Sequence, residues 1–171
     1  MVHVILCMHT QLLEALCELS EELTKEPLKA SCVPFELAAP ERELYERLAE
    51  EISPLPPERP VLIIGDLLGS PSATVSMSIP HPHISFIGGA SAPLLMELNP
   101  ALEWLESLEL SPLEQLAALT ERLCVVGRAH VVDSQSYLRP EGEDSQIDSS
   151  YYEGSVFGLG LSASSLSEQG S

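Results

Sequence analysis

A histidine that closes a buried strand and opens a helix is placed for nucleophilic or acid–base chemistry, and His9 has that setting. Val2–Cys7 (VHVILC) is a short run of β-branched and aliphatic residues, the length of a buried strand. Beyond Met8-His9-Thr10, the residues Leu12, Leu13, Ala15, Leu16, Leu19 and Leu23 fall at helical spacing. His9 therefore belongs to a strand-to-helix turn. Ligands gather at the carboxyl ends of strands in open α/β sheets, and free N–H groups at a helix start favour an anion. A second candidate is Asp66, which follows Val61–Ile64 (VLII) and Gly65, the clearest buried strand in the chain. A carboxylate beside an imidazole accepts its N–H, fixes the tautomer and frees the other ring nitrogen to attack. The chemistry that pair suggests is phosphoryl transfer through a phosphohistidine.

The elements between and around them bring the two together. A helix is expected over 11–24, a modest edge strand over Leu28–Val33, and a helix opened by Pro40 with the stripe Leu44, Leu48 and Ile52. After the proline-rich connector 53–60 and the strand at Val61 comes a short Ser-rich helix over 70–78, then a strand at His83–Ile87 ending in Gly88-Gly89. Ser91 and Pro93 open a further helix that Pro100 interrupts, and Ser111-Pro112 starts the last one, to about Leu123. Cys124–Val132 (CVVGRAHVV) alternates like a fifth strand carrying His130, and Trp104 reads as core. Alternating strands and helices imply right-handed crossovers. The expected fold is a three-layer α/β/α domain with a mainly parallel, flavodoxin-like sheet of order 2-1-3-4. In that order the first and third strands are neighbours, so His9 and Asp66 meet at the topological switch point. Thr10, Gly69, Ser70 and Ser91 lie on the surrounding turns, where their N–H groups and hydroxyls suit phosphoryl oxygens.

Composition narrows the partners. The 171 residues fit one domain over 1–132 with a Ser-, Gly- and acid-rich tail over 133–171 that is expected to be disordered. With 26 acidic against 8 basic residues the formal charge is −18, which excludes a nucleic-acid groove or an anionic membrane surface and favours a partner with a basic face. No apolar run is of membrane-spanning length, no signal peptide is expected, and four scattered cysteines suit a reducing cytoplasm. Cys7 with His9, and His81 with His83, share a strand face, but no second pair has ligand spacing, so no metal is expected and no organic cofactor is needed. The tail contains one apolar patch, Val156–Leu161.

These motifs resemble the mannose-family EIIA domains of the bacterial phosphoenolpyruvate:sugar phosphotransferase system. Met8-His9-Thr10 resembles their Ser/Thr-His-Gly turn. Asp66 with Gly69-Ser70-Pro71 resembles their Asp and Gly-Gly-Ser-Pro loop, and Gly89–Leu95 (GASAPLL) is similar to a later Gly-Val-Asn-Ile-Pro-Met-Leu segment. The resemblance implies that His9 takes a phosphoryl group from the carrier protein HPr with Asp66 assisting, and passes it to a IIB acceptor, here a separate protein. It also implies a homodimer whose fifth strand is antiparallel and exchanged between subunits. Thr10 stands where the family has glycine, Ser91 where it has asparagine, and the loop after Asp66 is one glycine shorter. Three other readings stand beside this one. They are a regulatory module whose phosphorylation state controls partner binding, a dihydroxyacetone-kinase phosphotransfer subunit, and a flavodoxin-like nucleotide binder.

Overall fold

The computed structural model describes residues 1–131; the expected tail, with its apolar patch, lies outside the described residues. Four strands, β1 (His3–His9), β2 (Ser31–Phe35), β3 (Val61–Gly65) and β4 (Ile84–Gly88), form one parallel sheet of order β2-β1-β3-β4. Among the described residues six helices accompany them: α1 (Thr10–Thr24), α2 (Glu41–Ile52), α3 (Pro71–Ser78), α4 (Ala92–Met96), α5 (Leu98–Glu106) and α6 (Pro112–Ala129). Among the described residues no helix is long and apolar enough to cross a membrane.

Strand periodicity sorts the core into two layers. Val4, Leu6 and Met8 of β1 and Leu62 and Ile64 of β3 pack with α1, α4, α5 and α6. The alternate residues Ile5, Cys7, Val61 and Ile63 pack with Leu44, Leu48 and Ile52 of α2 and Val75 of α3. Both faces of the central strands are covered, and this is why VLII carries no polar alternation. The expected three-layer parallel architecture and its strand order are present.

The structure corrects three local expectations. The second strand starts at Ser31 rather than Leu28, because 27–29 is held elsewhere: Asn99 Oδ1 accepts from the Lys29 N–H (2.9 Å) and its Nδ2 donates to the Pro27 carbonyl (2.9 Å). The antiparallel fifth strand expected from Cys124 is not formed among the described residues; Cys124–Ala129 is the end of α6. Leu116, Leu119, Leu123 and Val126 continue one buried helical stripe through the segment, and a local alternation of valines does not outweigh it. Gly127 lets α6 approach α4, since a Cβ there would stand 3.4 Å from the Leu94 side chain. His130 is consequently a helix C-cap whose ring Nδ1 contacts the Val126 carbonyl (2.8 Å).

Trp104 is the third correction: it is 37% exposed rather than core. The guanidinium of Arg122 lies 4.9 Å from its ring centre and also binds the buried Glu97 carboxylate, with Nε to Oε1 at 2.8 Å. Glu97 separates α4 from α5, and Pro100 sits in the first turn of α5, where its missing N–H costs little.

Candidate functional site

His9 ends β1 and serves as N-cap of α1, with φ −53° and ψ 135°. The backbone thus leaves the sheet and enters the helix at the imidazole itself, and no side chain caps that helix. In the β1–β2 register His9 stands opposite Phe35. The two rings meet edge to face, 6.4 Å apart at 84°. Thr10 Oγ1 donates to the Phe35 carbonyl at 3.2 Å, joining the start of α1 to the end of β2. The carboxylate nearest the imidazole is that of Glu36, with Oε2 3.5 Å from His9 Nε2. The His9 side chain keeps 26% of its exposure and that of Glu36 63%.

Asp66 is the first residue after β3 and begins a loop closed by its own side chain. Its Oδ1 accepts from the Leu67 N–H (2.9 Å) and from the Ser72 hydroxyl (3.2 Å). Ser72 in turn shares a 2.6 Å hydrogen bond with Ser70, which is buried and is the N-cap residue of α3. Gly69 takes φ +94°, a left-handed conformation that a residue with a Cβ adopts only under strain. The loop is also tied to β4, because the Gly89 N–H donates to the Asp66 carbonyl (2.8 Å) and that of Ala90 to the Gly65 carbonyl (3.0 Å). Gly88 permits that approach: a Cβ there would stand 2.6 Å from the Leu68 nitrogen.

The expected site residues therefore share one sheet edge but divide into two groups. His9 and Thr10 belong with Phe35 and Glu36; Asp66, Gly69 and Ser70 belong with Ser72 and the 88–90 turn. Ser91 follows that turn as N-cap residue of α4, with its hydroxyl buried and unpartnered. Among the described residues, no hydrogen bond or ion pair joins His9 to Asp66, so the bond expected between them is not made in this structure. The β1–β3 register gives the reason. It pairs Cys7 with Gly65 and ends there, so Asp66 follows immediately while β1 runs two residues further before reaching His9.

Cys7 lies between the two groups. Burial pushes its thiol up from 9.0 to about 12; the Asp66 carboxylate adds to that shift and the Arg47 guanidinium opposes it. A thiol so held stays protonated at neutral pH and is a poor nucleophile. Arg47, Glu36 and Phe35 did not stand out in the sequence. Arg47 donates to the Pro34 carbonyl and lines a cleft of about 70 Å³ with Thr10, Glu36 and Pro71. Ser72 was also missed, although Ser70-Pro71-Ser72 carries a detectable signal: two hydroxyls flanking a helix-opening proline, one turn beyond an aspartate. Among the described residues no three His, Cys, Asp or Glu side chains gather to hold a metal ion.

No protein-family model matches the chain, and no curated protein matches its sequence. Solved structures do match its backbone. A mannose/sorbose-specific IIA subunit of the phosphotransferase system from Enterococcus faecalis superposes with a TM-score of 0.63 at 18% identity, over 84% of this chain and 98% of that one. The phosphotransferase component EIIA from Streptococcus agalactiae gives 0.64 at 16% identity, over 80% and 99%. The fold is that of mannose-type EIIA subunits. A further structure with this EIIA-like fold, a sigma-54 interaction domain protein from Enterococcus faecalis, gives 0.53 at 14% identity, over 77% and 97%.

Proposed function

We propose that this protein is a cytoplasmic phosphoryl carrier of a phosphotransferase system, with His9 as the phosphorylated residue. The observation that carries the reading is the position of one imidazole at the carboxyl end of β1 and at the N-terminus of a 15-residue helix, on the edge shared with the Asp66–Ser72 loop. A ring nitrogen of His9 attacks the phosphorus of the donor, phosphorylated HPr. The N–P bond to His9 forms as the donor's N–P bond breaks, and transfer to a separate IIB-type acceptor reverses the roles. Catalysis of this kind rests on in-line placement and preorganised donors. The first N–H groups of α1 and the helix dipole stabilise the phosphoryl charge, and Thr10, Gly69, Ser70 and Ser91 supply further groups on the neighbouring turns. Asp66 acts in this reading by holding its loop and by its charge, without a direct bond to the imidazole. The similarity to EIIA subunits supports the reading at the level of fold.

The test is incubation with phosphoenolpyruvate, enzyme I and HPr. An acid-labile, base-stable phosphate is expected on the wild type and none on His9→Ala; label that persists on the variant overturns the assignment. A second reading has the same phosphohistidine control the binding of a target instead of feeding a IIB protein. It draws support from the EIIA-like fold of the sigma-54 interaction domain protein. Release of the label by added IIB protein separates carrier from switch.

A further inference from the structure

We propose that Cys17 and Cys32 form a reversible disulfide that fastens α1 to the outer strand β2. The bond is independent of the phosphoryl chemistry at His9. In the β1–β2 register Cys32 stands opposite Leu6, whose side chain belongs to the layer covered by α1. Partners on paired strands share a face, so Cys32 lies on the α1 side of the sheet, while Val33 and Phe35 lie on the α2 side. Cys17, on α1, packs against the same layer as Leu6, together with Leu28 and Ala30 of the connection between the two elements. A side-chain hydrogen bond joins the two thiols, Cys17 donating to the Cys32 sulfur.

The surroundings single out this pair. β2 is an edge of the sheet, Cys32 is exposed on it and Cys17 is half-buried. Cys7 is buried on the opposite face of the sheet, and Cys124 lies on α6. The connection from α1 to β2 is already fixed: the Leu28 N–H donates to Glu21 Oε1 (3.3 Å), and Asn99 holds both Pro27 and Lys29. In the folded chain the bond therefore removes little freedom. In the unfolded chain it closes the 17–32 loop and removes much more.

An exposed thiol beside a half-buried one suits a small disulfide, such as glutathione disulfide, as oxidant. Burial pushes both thiols up, and the hydrogen bond from Cys17 opposes that rise at Cys32, which makes Cys32 the first to react. Its thiolate attacks one sulfur of glutathione disulfide; the S–S bond of the oxidant breaks and one glutathione leaves. Capped in the mixed disulfide, Cys32 no longer bears the charge that helped to keep Cys17 protonated. Cys17 then loses its proton and attacks the Cys32 sulfur, the mixed disulfide breaks, and the second glutathione leaves. Two protein thiols are oxidised by two electrons, the oxidant is reduced to two glutathiones, and these take up the two protons the protein has lost.

The test is oxidation of the folded full chain by excess glutathione disulfide, then alkylation of the remaining thiols and peptide mapping. The expected product is a monomer with a Cys17–Cys32 cross-linked peptide and with Cys7 and Cys124 free, and dithiothreitol should restore both thiols. The oxidised monomer should unfold at higher denaturant concentration than the reduced one, with an unfolding equilibrium constant at least about tenfold smaller. Cys17→Ser should stop at the mixed disulfide on Cys32, and Cys32→Ser should form no disulfide within the chain. Wild type that retains glutathione on Cys32 overturns the proposal. So do a chain whose thiols all stay free, a dimer linked through Cys32, and a bond that includes Cys7 or Cys124. An oxidised monomer whose midpoint is unchanged or lower also overturns it, since the native packing then does not accept the bond. If a serine variant fails to fold, the wild-type map and midpoint decide the matter alone.

Discussion

The two halves of the candidate site are held in different ways. At the β1–β2 end the imidazole has one edge-on ring neighbour and one carboxylate at 3.5 Å, Thr10 ties the turn to the Phe35 carbonyl, and Arg47 holds the Pro34 carbonyl. At the β3–β4 end Asp66, Ser70 and Ser72 are bonded to one another and to the loop, and two N–H groups of the 88–90 turn complete it. The half that bears the proposed phosphoryl acceptor, His9, is partly open to water. In the half that shapes its surroundings Asp66, Ser70 and Ser72 are already bonded to one another, and the buried Ser91 hydroxyl beside them is unpartnered among the described residues. A nucleophile has to change partners during turnover and a scaffold does not.

The contrast can be broken from beneath, at the residue both halves share. The unfolded chain loses the Cys7 proton near 9.0, whereas the folded protein keeps it to about 12. The unfolded state therefore sheds protons first, and stability should fall as pH rises from 9 towards 12, by up to about 4 kcal/mol from this thiol. Cys17 is raised in the same way, so the alkaline limb of a denaturant titration should become shallower, not vanish, in Cys7→Ala.

Gly88→Ala attacks the scaffold half directly. Its new Cβ meets backbone at 2.6 Å, which cannot rotate away as a side chain would. A loss of about 1–3 kcal/mol is expected in chemical denaturation, with slower labelling of His9 by phosphoramidate. Ser72→Ala removes one donor to Asp66 and the partner of the buried Ser70 hydroxyl; about 1–2 kcal/mol and a smaller fall in labelling are expected. Glu36→Gln should have the smallest effect. An ion pair this long and exposed contributes under about 1 kcal/mol, so stability should hold within error while phosphoramidate labelling rises about two- to fivefold as Nε2 loses a competing carboxylate. A large drop in labelling for this variant would instead make Glu36 part of the scaffold.

The parts of the fold that follow from hydrophobic period were readable in the chain. VLII, the strand ending at His9, the Pro40 helix and the Ser111-Pro112 start, here a full capping box, all stand where the pattern placed them. Where two local patterns competed, only packing decided. CVVGRAHVV alternates as a strand does, yet Val126 lies on the stripe begun by Leu116 and Gly127 meets Leu94, contacts no short window reveals. The site was legible to the level of strand ends, which the alternating topology fixes. Which carboxylate faces the imidazole depended on how far β1 extends beyond its pairing with β3, a matter of register that residue types do not encode. Glu36 was overlooked because the second strand was expected to end at Val33, which hid the pairing of Phe35 with His9.

Asn99 couples two distant stretches of chain through one side-chain amide, receiving the Lys29 N–H and donating to the Pro27 carbonyl across some seventy residues. The passage from α1 into β2 is thereby fastened to α5, beside its local bond from the Leu28 N–H to Glu21 Oε1. Solvent deuterium should reach the Lys29 amide only when α5 lifts from the sheet, so a single exchange rate reports whether the first and last thirds of the domain open as one cooperative unit.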